Sequence, residues 1–160
     1  MRTVILGVGT PKSGTTWLYR QLYNSENFRK GLMKEYHLFD EQYLGFNHSK
    51  PSNIIRRLKN NQKSNDDKLI FKNAEIIKSF YKDEDEYFNY FDSLLQKDTD
   101  FTADRTPGYA CLPSDVFANI KNKFNQRGIC VKVIFLMREP ISRLESSIKM
   151  KLRRDNKLRS

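Results

Sequence analysis

Cysteine is scarce in this 160-residue chain, and its placement tells against several chemistries. Cys111 and Cys130 form no CxxC pair and have no histidine cluster beside them, so a zinc module and a disulfide framework both have little support. Cys130 lies in an apolar run and is expected to be a buried thiol, which fits a reducing compartment. No apolar run approaches the roughly 18 residues of a membrane-spanning helix. The segment Met1–Gly9 is too short for a secretory signal core, and Lys12 follows at once. A cytoplasmic location is therefore expected. Internal repeats, a domain linker and a recognisable nucleic-acid motif are also missing.

Aromatic residues are plentiful. Eleven phenylalanines and eight tyrosines supply enough apolar surface for one core, and residues 1–160 are read as a single domain. The formal net charge is +10, a balance that suits an anionic partner. From Ile148 onward six basic residues (Lys149, Lys151, Arg153, Arg154, Lys157 and Arg159) face Asp155 alone. That run reads as a solvated helix end or as an anion-facing surface.

Thr3–Val8 is a short β-branched run and predicts a buried parallel strand. Gly9–Gly14 reads as a turn, and Thr15–Tyr23 as a helix with Asn24 as its stop. Lys34–Phe39 reads as a short strand or extended loop. Pro51–Asn60 reads as a helix with Ile54, Ile55 and Leu58 on one face, and Asn60–Lys68 as a polar loop. Asp83–Leu95 predicts a helix whose acidic first turn suits the positive helix end, and its aromatic residues are expected in the core. Phe101–Ala103 is a strand candidate, and Asp104–Tyr109 a turn. Ser114 is the expected cap of a helix reaching about Gln126, with Gly128 beyond it. Val131–Met137 is apolar and long enough to be a central strand, and Pro140 opens a helix to about Arg153. Strands alternating with helices predict an α/β chain with a mostly parallel sheet flanked by helices in three layers.

The loop Gly9–Thr16 (GTPKSGTT) carries the strongest chemical signal. A strand-to-helix loop exposes unpaired N–H groups at the positive end of a helix, where oxyanions bind. Lys12 adds a charge, and Ser13, Thr15 and Thr16 add hydroxyls. Against the nucleotide loop GxxxxGK[ST], the glycines and Thr16 fall in register, but Thr15 stands where the lysine belongs. The side chain that reaches the terminal phosphates of a nucleoside triphosphate is thus displaced into the loop.

The run PKSGTTW, Pro11–Trp17, resembles the phosphosulfate-binding loop of sulfotransferases that use 3′-phosphoadenosine 5′-phosphosulfate (PAPS). Arg138-x-Pro140-x-x-Arg143-x-x-Ser146 resembles their 3′-phosphate motif. Lys34–Asp40 (KEYHLFD) and Asp104–Tyr109 (DRTPGY) resemble two further segments of the bacterial and heparan-sulfate-type branch, with Arg105 in place of the usual lysine. The resemblance spans residues 3–150 and implies a P-loop-like sulfotransferase fold. It implies that Pro11, Lys12, Ser13, Gly14, Thr15, Thr16, Trp17, Arg138 and Ser146 bind the nucleotide, with Lys12 and Glu35 catalytic. His37 competes with Glu35 as the base, because an imidazole titrates near neutrality. The implied reaction moves a sulfuryl group to a hydroxyl or amine, a carbohydrate first among acceptors, without a metal. Members of the family continue well past this point, so a C-terminally short version is expected. Two other readings stay open: a P-loop kinase or NTPase that binds ATP, and a non-enzymatic basic domain that binds polyanions.

Overall fold

The computed structural model describes residues 1–62 and 66–158. Its centre is a parallel sheet of three strands, β1 (Thr3–Gly9), β2 (Phe101–Asp104) and β3 (Cys130–Leu136), in the order β2-β1-β3. Among the described residues seven α-helices accompany it: α1 (Thr15–Tyr23), α2 (Leu38–Leu44), α3 (Pro51–Gln62), α4 (Asp67–Lys82), α5 (Glu84–Leu94), α6 (Ser114–Asn125) and α7 (Pro140–Leu158). A 3₁₀ helix, Pro107–Cys111, follows β2. The chain is thus α/β, with helices on both sides of a small parallel sheet.

β1 is the central strand because both of its faces are covered. Val4, Leu6 and Val8 point into the larger core with Tyr87, Phe88 and Phe91 of α5. Ile5 points the other way, onto Tyr19 of α1 and Phe28. β3 pairs with β1 along its whole length, yet it is the sheet's edge. This corrects the central position expected for Val131–Met137. Val131 and Ile134 pack inward, whereas Val133 and Phe135 are half exposed and Met137 is more so. Apolarity records how much surface a strand can bury; it does not record the order in which strands pair. Along α7, Ile141, Leu144, Ile148 and Leu152 form a second exposed apolar stripe.

Other expectations also shift. Residues 34–37 are loop as expected, but α2 takes in Leu38 and Phe39 at the end of that segment, and α4 begins inside the expected polar loop; residues 63–65 of that loop lie outside the described residues. α4 forms because Ile70, Ala74, Ile77 and Phe80 recur at helical spacing and are buried, with the Asp66 carboxylate accepting from Leu69 N–H at 3.2 Å. Ser114 is the first residue of α6 rather than its cap, a position taken by Pro113. Cys130, expected to be buried, is only partly so because it begins the edge strand. α7 extends past Arg153 to Leu158, and Arg159 of the basic run lies outside the described residues. Among the described residues no helix is long and apolar enough to cross a membrane.

A matched pair of truncations tests the strand order. Val4 is fully buried and Val133 is 52% exposed. Val4→Ala is expected to cost about 2–3 kcal/mol in urea denaturation, and Val133→Ala less than about 1 kcal/mol. Equal costs would contradict β3 as an uncovered edge.

Candidate functional site

All three strands point their carboxyl ends at one cavity of about 670 Å³, within the range of small-molecule sites. β1 leads into Pro11, Lys12, Gly14, Thr15 and Thr16; β2 leads into Pro107 and Gly108; β3 leads into Arg138, with Ser146 and Met150 following on α7. The remaining wall holds Glu35, His37, Asp40, Phe46 and His48. Residues 11–16 and 138–146 are far apart in sequence and meet here. Arg143, Ser13 and Trp17 do not line the cavity: Ser13 is buried, and Trp17 is 64% exposed.

The loop owes its shape to left-handed backbone. Gly14, at φ 97°, is the N-cap of α1, a conformation that costs a side chain strain. Lys12 adopts φ 72° and His37 φ 58°. These are the positive-φ residues other than glycine among the described residues, and both line the cavity. Backbone strain of this kind persists where surrounding contacts hold it, and it concentrates at ligand sites. The hydroxyls of Thr10 and Ser13 lie 2.6 Å apart inside the loop, and Arg138 Nη1 donates to the Lys12 carbonyl at 3.2 Å. Lys12 Nζ lies 3.8 Å from Met150 Sδ, and among the described residues no carboxylate pairs with it.

Arg105 lies beneath the loop and not in the cavity. Its residue is 2% exposed; its guanidinium donates to the Thr15 carbonyl and sits 4.6 Å from the centre of the Tyr19 ring. It braces the start of α1 from inside.

The segment carrying Glu35 and His37 is pinned by a buried polar network. Asp104, with no exposure, accepts from Thr106 Oγ1 (2.6 Å), Tyr87 Oη (2.9 Å), Tyr109 Oη (3.0 Å) and Tyr36 N (3.3 Å). Thr106 Oγ1 in turn accepts from Tyr36 N at 3.0 Å and His37 N at 3.3 Å. The segment therefore cannot slide along the sheet edge without stranding buried donors.

His37 lies between two carboxylates. Nδ1 is 2.7 Å from Oδ2 of buried Asp40, and Nε2 is 3.3 Å from Oε2 of Glu35. Burial alone lowers the imidazole pKa, but hydrogen bonds to Asp40 and Glu35 outweigh it and raise it to about 9. Near neutrality the ring is an imidazolium donating from both nitrogens, so it has no lone pair with which to accept a proton. Glu35, 41% exposed, lines the cavity and meets His37 through Oε2. Gly108 makes room for this arrangement: a Cβ there would fall on Asp40 Oδ2.

His37, Asp40 and His48 also bring three potential metal-ligand atoms within 4.8 Å of one another. The two imidazoles stack face to face, with centroids 3.9 Å apart and planes at 23°. In such a stack the ring lone pairs run side by side and do not converge on one ion. Asp40 appeared in the sequence only as the end of KEYHLFD, and its i,i+3 spacing from His37 was the available signal. Phe46 and His48 carried no signal, because a loop places them. Compared with known proteins, the chain matches no family model and no curated protein.

Folding raises the His37 pKa from 6.5, so the folded state holds that proton more tightly. Its contribution is fully present below about pH 6.5 and is lost as the pH rises through about 9. Unfolding free energies measured between pH 6 and 10 are expected to fall by on the order of 3 kcal/mol from this group, and His37→Gln is expected to flatten that decline. An unchanged slope in the variant would mean that His37 is not held as an imidazolium.

Proposed function

We propose that this chain has a P-loop-like sulfotransferase fold and transfers a sulfuryl group from PAPS to an acceptor hydroxyl or amine. One observation carries the reading: the Pro11–Thr16 loop, the Arg138–Ser146 pair and Glu35 all face a single cavity. A nucleotide with both a 5′-phosphosulfate and a 3′-phosphate needs two separate anion anchors. The loop at the start of α1 supplies the first, through amides at the positive helix end and the Lys12 ammonium. Arg138 and Ser146, brought alongside by β3 and α7, supply the second.

The chemistry then follows from position. The acceptor oxygen or nitrogen attacks sulfur, the bond from sulfur to the bridging oxygen of the 5′-phosphate breaks, and 3′-phosphoadenosine 5′-phosphate (PAP) leaves. Lys12 and the loop amides stabilise charge developing on the bridging and equatorial oxygens. Glu35 takes the acceptor's proton, since His37 is already protonated. Asp40 holds the imidazolium, and the imidazolium orients Glu35 through its second nitrogen.

Calorimetry with PAP against ATP tests the donor site. Tighter binding of PAP is expected, with Arg138→Ala weakening it about tenfold or more, as loss of a charged hydrogen bond does. A preference for ATP, or none, would refute the reading. Glu35→Gln is expected to lower turnover by about 10²–10⁴-fold with little change in PAP affinity. Full turnover in that variant would remove Glu35 as the base.

A further inference from the structure

The chain between α2 and α3 builds a feature that the donor chemistry does not use. Gly45, at φ 73°, ends α2 and turns the chain back, its N–H donating to the Glu41 carbonyl at 3.1 Å while Phe46 N–H donates to the Asp40 carbonyl at 3.4 Å. Glu41 Oε2 then accepts from two consecutive amides, His48 N at 2.5 Å and Ser49 N at 2.6 Å. That clamp sets the His48 ring flat on His37. Phe46 stands one step further out, 5.9 Å from His48 with planes at 56°. Three rings that line the cavity thus run from His37, 15% exposed, through His48 to Phe46, 49% exposed.

Phe46 lines the cavity and is 49% exposed, and among the described residues its ring contact is with His48. Half of the phenylalanine's apolar surface therefore remains in water. His48 lines the cavity, and among the described residues its ring nitrogens make no hydrogen bond. Across the cavity are the polar loop residues Lys12, Thr15 and Thr16, with Glu35 beside His37.

We infer that Phe46 and His48 form the acceptor seat, a platform for a six-membered ring with one flat apolar face and a hydroxyl edge. A ring stacked on Phe46 turns its edge toward His48 and Glu35 and presents a hydroxyl to the donor loop. Pyranosides and phenols share this chemistry. The term acceptor rests on the sulfuryl-transfer reading, whereas ring binding does not.

Saturation-transfer NMR with cellotriose and with 2-naphthol, in the presence of PAP, tests the platform and distinguishes the two sources. One probe is expected to bind the wild-type chain, to bind Phe46→Ala at least fivefold more weakly, and to regain affinity in Phe46→Trp. Because Phe46 is half exposed, Phe46→Ala is expected to keep the wild-type melting temperature and PAP affinity. If neither probe binds, or if Phe46→Ala binds as well as wild type, the platform is refuted. Ring binding without PAP binding would sink the sulfotransferase reading and leave the platform standing; PAP binding without ring binding would do the reverse.

Discussion

The carboxylate of Asp104 is the constraint on which the site depends. It is removed from water at the end of β2, and burial pushes its pKa up. It is tolerated because four donors converge on it: three hydroxyls and one amide. They come from three places: α5, the turn after β2, and the segment before α2. Sheet, helical layer and the strand-end segment are therefore joined at one point. An apolar residue there would leave Tyr87 and Tyr109 with stranded hydroxyls and free the segment that bears Glu35.

From that point the geometry of the cavity follows. Parallel strands end on the same side, so the loops after β1, β2 and β3 are gathered without any long excursion of the chain. Arg105 and Arg138 hold the first of these loops from opposite directions, one through the Thr15 carbonyl below and one through the Lys12 carbonyl at the rim. A loop held at both places can keep Lys12 in a left-handed conformation and its ammonium in the cavity. Lysine at position 105 would lack the planar fork that both donates and stacks on Tyr19.

Charge decides the division of labour opposite the loop. Two carboxylates and one imidazole could share their protons in several ways, and burial is what separates them. Asp40 is almost fully covered and Glu35 is not. The buried carboxylate keeps the imidazole charged, and the exposed one is left to meet a ligand. His48, stacked on that cation and partly buried, has its pKa lowered by burial and by His37.

Local sequence determined much of this protein. The short β-branched run, the glycines and lysine of the loop, Pro51 and Pro140 at helix starts, and the aromatic spacing of Tyr87, Phe88 and Phe91 each act within a few residues, and their elements were legible as such. The members of the site were legible as separate segments: Lys12, Glu35, Arg138 and Ser146 could be named before any of them was placed beside another. Tertiary structure decided the rest. The strand order put the most apolar run at an edge, since pairing depends on which neighbours cover a face. The proton on His37 depends on Asp40 being buried, which no sequence spacing records. Phe46 and His48 reached the cavity through one carboxylate clamp and one stack, contacts that exist only once α2 has formed. Above all, the loop at Gly9–Thr16 was readable as an anion site from its own backbone chemistry. That it shares a cavity with residues 138–146 is a consequence of β3 lying parallel to β1.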